Sequence, residues 1–146
     1  MKRRHFCVAL PLAALGFSLA GCNREPSAGP VDIKWDRETD PRCSMVISDK
    51  RFAAQIRDPN RKAWKFDDIG CATFWLMQQT FSEQTPNTEF WVNDYRNPGA
   101  WLDARKAWYL EGKKSPMGYH YAAVAEPEAG AIPYHEMKKR VLARGK

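Results

Sequence analysis

The sequence has no glycine-rich phosphate loop, no His-Glu-x-x-His pair and no Cys-x-x-Cys. Those absences remove nucleotide-cradling, zincin-type and thioredoxin-type chemistry from consideration. Four cysteines in 146 residues are too few for a disulfide-dense scaffold. With 9 Gly and 10 Pro, the chain is neither collagen-like nor a linker. No apolar run reaches the roughly 20 residues that a spanning helix needs. What is present is an ordinary globular composition of one-domain length, with charged residues at 27% and a formal net charge of +6.

The first residues read as an address. Lys2, Arg3 and Arg4 are followed by an apolar stretch from Phe6 to about Ala20, the layout of a secretory signal. Leu19-Ala20-Gly21-Cys22 has the form of a bacterial lipobox, which predicts cleavage before Cys22 and lipid attachment to it. Asn23, rather than Asp, points to sorting to the outer membrane. Residues 1–21 are therefore expected to be a lipoprotein signal peptide. Their removal takes away three basic residues and leaves a net charge of +3, which weakens any case for a nucleic-acid partner. It also discards Cys7 and makes Cys22 an anchor, so that Cys43 and Cys71 remain in the body.

Residues 22–39 carry Pro, Gly, Ser and scattered charge, and are expected to be a lipidated tether, with Trp35 able to dock. The folded domain is expected over 40–146. Arg51–Ile56 and Lys62–Phe66 read as a hairpin around Asp58-Pro59-Asn60. Asp67 or Asp68 caps an apolar helix over Asp67–Thr80. Thr88–Tyr95 and Tyr119–Ala125 read as strands, Trp101–Leu110 as helix or strand, and Tyr134–Arg144 as a basic helix. The order predicts a small α+β fold.

The chemistry-bearing residues are sulfur and imidazole. In an extended chain, Cys43 and Met45 project on one face. Thiolate and thioether together select Cu(I) over hard ions. Met117, on the loop Ser115-Pro116-Met117-Gly118, His120, His135, Met137 and Cys71 are further soft or borderline donors. Spacing leaves three readings of Cys43 and Cys71: a disulfide, buried free thiols, or a metal site. Cys71 and His120 also have ordinary packing roles, and Asp67 and Asp68 have sufficient work as caps. Asp94 and Asp103 read as turn or capping residues.

Several segments in order carry a family resemblance: Cys43-Ser44-Met45, Phe52-Ala53-Ala54-Gln55-Ile56, Phe66-Asp67-Asp68-Ile69-Gly70-Cys71, Val92-Asn93-Asp94-Tyr95, Trp101-Leu102-Asp103-Ala104, Ala107-Trp108-Tyr109 and Pro116-Met117-Gly118-Tyr119. Together with the lipobox, they resemble the NosL family, lipoproteins that assist copper assembly of nitrous oxide reductase. The resemblance implies two small ββα-like units, similar also to the organomercurial lyase core. It implies a periplasmic, lipid-anchored Cu(I) carrier rather than an enzyme. The metal ligands it implies are Cys43, Met45 and Met117, with His120 as a further candidate. The implied partners are nitrous oxide reductase or its membrane-bound maturation machinery, and the membrane itself through Cys22. A second copy of the chain, as a homodimer, could supply ligands. The competing readings are a metal-free interaction lipoprotein with a Cys43–Cys71 disulfide, a chaperone for another cuproenzyme, and a lyase-like enzyme. Ser44 stands where the family usually has Gly, and Pro127, Gly130 and Pro133 interrupt a segment that is usually helical.

Overall fold

The computed structural model describes residues 26–145. The proposed signal peptide, Cys22 and its lipid lie outside the described residues.

A four-stranded antiparallel sheet, in the order β2-β1-β3-β4, forms the first half. Strand β1 (Ala54–Arg57) is its centre, flanked by β2 (Ala63–Phe66) and β3 (Glu89–Asn93), and β4 (Trp101–Asp103) extends it. The β1–β2 hairpin pairs Ala54 with Phe66 and Arg57 with Ala63. Its turn is closed by Asp58, whose Oδ1 accepts the Lys62 amide and whose Oδ2 accepts the Trp64 indole. The four residues of β1 are all buried, as expected of a central strand covered on both sides.

Helix α1 (Ile69–Met77) follows β2 directly. Asp68, in extended conformation, accepts the Gly70 amide and so caps the first turn. Of the two acids expected to cap, Asp68 makes this bond. The helix is buried on nearly all sides, with Met77 exposed at its end, as suits a helix inside a core rather than on it.

The second half is a three-stranded antiparallel sheet, in the order β6-β5-β7, built from β5 (Trp108–Glu111), β6 (Tyr121–Val124) and β7 (Ala131–Pro133). Helix α2 (Tyr134–Arg144) closes the chain and buries Tyr134, Met137 and Val141 at helical spacing. The ambiguous stretch 101–110 is two strands. Asp103 turns the chain between them by accepting the Arg105 amide on its side chain and the Lys106 and Ala107 amides on its carbonyl. One core joins the halves: Ile56, Phe66, Leu76, Tyr109, Tyr121 and Met137 belong to a single cluster. The molecule is thus a small α+β domain of two sheet-and-helix units, as expected.

Two expectations are corrected. The segment expected to be a tether is docked from Ser27 onward, where Arg61 donates to the Ser27 carbonyl. Val31 and Ile33 are buried, the Gln55 amide side chain pairs with the backbone of Val31 in both directions, and Arg57 donates to the Gly29 carbonyl. Two apolar side chains spaced by two outweigh the loop-like composition around them. Met137, named from the sequence as a soft donor on the basic helix, is instead fully buried in the apolar stripe of α2.

Candidate metal centre

Three segments meet at the first turn of α1: the loop 40–45, the residues 67–71, and the loop 115–120. Each is held by a buried carboxylate or a close aromatic contact.

Asp40 organises the first loop. Its Oδ1 accepts the amides of Arg42 and Cys43, and its Oδ2 accepts the Asp67 amide. The Ser44 amide closes on the Asp40 carbonyl at 2.9 Å, and the Asp40 amide on the Met45 carbonyl at 2.8 Å. Ser44 sits at φ 61°, in the left-handed region where glycine is at ease. The loop is therefore a tight turn, and the extended geometry expected for Cys43-Ser44-Met45 is not what forms. Cys43 is half-buried against the main core, whereas Met45 stands 52% exposed on the surface.

Turning inward, Cys43 meets three groups. One ligand-capable atom each from Asp40, Cys43, Asp67 and Cys71 lies within 4.8 Å of all the others. The Cys43 thiol donates to Asp67 Oδ1 at 3.8 Å. Both cysteines are free thiols, so the disulfide reading is not realised here. Asp67 Oδ2 is buried and has no hydrogen-bond partner, an arrangement that costs free energy unless a proton or a cation completes it. Two sulfurs, two carboxylates and one orphaned buried oxygen make a donor set that fits a metal ion.

The electrostatics agree. Burial, then the neighbouring carboxyl of Asp40, pushes Asp67 up to about 7. Burial pushes the Cys43 thiol up, with Asp40 and Asp67 adding to it. Cys71, fully buried, is raised further by the same causes. Asp67 and the two thiols, crowded out of water beside Asp40, resist ionisation until a cation enters.

The second carboxylate, Asp68, holds the third loop. Its Oδ2 accepts the Ser115 hydroxyl at 2.6 Å and the Met117 amide at 3.3 Å. Ser115 and His120 are bonded reciprocally: the His120 amide donates to Ser115 Oγ, and the Ser115 amide to His120 Nδ1 at 3.4 Å. His120 precedes β6, at φ 65°, instead of alternating within a strand. Met117, on its loop, is half-buried and packs against the main cluster. Between these loops, Tyr119 lies on Gly70 so closely that a Cβ there would fall 2.1 Å from the ring. The Tyr119 hydroxyl also accepts from Arg42, beside Cys43.

The NosL family model matches residues 30–139. The chain belongs to the NosL family. None of the curated proteins searched matches it. NosL membership supports a copper-related accessory lipoprotein of the periplasm, and the Asp/Cys group gives it a place where a metal can bind. The match begins next to Gly29, where the chain docks onto the domain.

Of the residues singled out from sequence, the fold gathers Cys43 and Cys71 into the cluster and pins the backbone of Met117 and His120 to Asp68 and Ser115. His135 is exposed on α2. Asp40 and Ser115 were missed entirely, and Asp67 was read only as a cap. The available signal was the position of Asp40, three residues before Cys43, where an Asp side chain readily accepts the amides that follow it.

Proposed function

We propose that this NosL protein is a lipid-anchored Cu(I) carrier that binds copper at Cys43 with Met45, Met117 and His120, and hands it to nitrous oxide reductase or its membrane-bound maturation machinery. The observation that carries the reading is Cys43 turned into a cluster with an orphaned carboxylate oxygen, beside a methionine loop fastened to the same helix start. Soft sulfur donors favour the monovalent ion. Cys43 binds as thiolate, and since burial raises its thiol, loading releases a proton and weakens as pH falls. Met45, exposed on the rim, is where a donor from a partner can exchange with a carrier ligand without releasing free ion. Lipid at Cys22, with outer-membrane sorting, keeps the cargo near its recipient and raises its effective concentration there.

The test is an anaerobic Cu(I) titration of the soluble domain against a competing chelator. Cys43→Ala is expected to lose at least tenfold in affinity, about 1.4 kcal/mol. Met45→Ala, Met117→Ala and His120→Ala then rank the remaining donors. Unchanged affinity in Cys43→Ala would reject the site. Thiol counting on unreduced protein should find two reactive groups after denaturation, and finding none would favour the metal-free reading.

A further inference from the structure

The carboxylate of Asp68 makes more bonds than capping requires. Its Oδ1 accepts the Gly70 amide, which suffices to start α1. Its Oδ2 leaves the helix and takes the Ser115 hydroxyl and the Met117 amide, 47 and 49 residues away along the chain. Ser115 passes the connection on, because its Oγ also accepts the His120 amide. A single buried side chain thus joins the helix that carries Cys71 to the loop that carries Met117 and His120. Asp68 is 0% exposed, so these bonds do not compete with water and hold their geometry firmly. A carboxylate is also the right group: it offers acceptors on both oxygens, whereas an amide offers one acceptor and a donor that would oppose Ser115 or Met117.

We infer that Asp68 is a positioning residue for copper binding: its Oδ2 sets the Met117 loop at the distance from Cys43 that lets the thioether join the thiolate on one ion. The inference rests on the proposed copper reading, and in particular on Met117 as a ligand. It requires that loss of Asp68 act through Met117 and not through the fold at large.

A double-mutant cycle tests it. Cu(I) affinity is measured for wild type, Asp68→Asn, Met117→Ala and the double variant, with circular dichroism to confirm folding and X-ray absorption to count sulfur neighbours of the copper. Asp68→Asn is expected to weaken binding about tenfold and remove one sulfur from the copper shell when Met117 is present. With Met117 already Ala, it should cost less than about twofold. Ser115→Ala leaves the cap on Gly70 in place and should give a smaller loss of the same kind, about threefold, which keeps the test open if Asp68→Asn does not fold. Equal losses with and without Met117, or an unchanged sulfur count, would overturn the positioning role alone. If Met117→Ala itself leaves affinity unchanged, Met117 is not a ligand, and the copper reading at that residue falls together with the inference.

Discussion

Helix α1 begins among buried acids, with Asp67 and Asp68 almost wholly out of water, whereas α2 keeps its charges outside. Glu136 pairs with Arg140 one turn on, and Glu111 takes Arg140 and Arg144, all partly exposed. The two helices close two similar units of one small domain, yet only one of them burdens its entry with acidic groups. On α2, screened pairs offset little and cost little. At α1, burial beside Asp40 raises the resistance of Asp67 and the two thiols to ionisation. On the proposed reading, stability is given up there for a place that a cation completes.

The largest test of that contrast is pH. The Asp67 carboxyl, raised to about 7, keeps in the folded state a proton that the unfolded chain loses near pH 4. Stability should therefore fall as pH rises from 4 to 7, and level off above. Asp67→Asn should flatten that slope, as read by urea midpoints at each pH. The α2 side runs the other way: the Tyr121 hydroxyl and then the Arg partners lower Glu111, and Arg140 lowers Glu136, so what these bonds contribute is present above the ordinary carboxylate range and fades only on acidification below it. A variant that keeps the wild-type slope would place the buried proton elsewhere.

Next in size is Gly70→Ala. The Tyr119 ring occupies the space of a Cβ, so overpacking should cost about 3 kcal/mol, with a lower Tm and weakened copper binding together. A smaller effect is expected at Ser44. Its positive φ strains a serine, and Ser44→Gly should gain up to about 1 kcal/mol with copper affinity kept, by thermal melting and titration. This would explain why the resembled family usually carries Gly there. Smallest is Arg140→Ala, on the α2 surface, which should leave the urea midpoint and copper binding essentially unchanged. A large loss there would erase the distinction between the helices.

The sequence read well wherever structure is local. Asp58-Pro59-Asn60 marks its hairpin, the acid pair before Ile69 marks the start of α1, and Tyr134–Arg144 matches α2 in full. Cys43, Met117 and His120 are singled out by side-chain type and the family resemblance; the fold puts Cys43 in the Asp/Cys group and Met117 and His120 on the adjoining loop. The misses share a cause: they depend on contacts distant in sequence. Asp40 binds the Asp67 amide, Asp68 binds Ser115, and Val31 meets Gln55. No periodicity announces such meetings. The turn at Ser44 was hidden for another reason, since serine gives no sign of a left-handed backbone.

The docked stretch from Gly29 to Ile33 has a consequence for placement. Its backbone is gripped by Gln55 and Arg57 on the central strand of the larger sheet. With lipid on Cys22, as proposed, the stretch between the anchor and Ser27, whose carbonyl Arg61 holds, spans at most about 18 Å when fully stretched. The carrier then rides on a short leash rather than a long line. On the proposed reading, recipients are those that pass within a molecule's width of the bilayer, and lengthening the leash with inserted glycine and serine should widen that set.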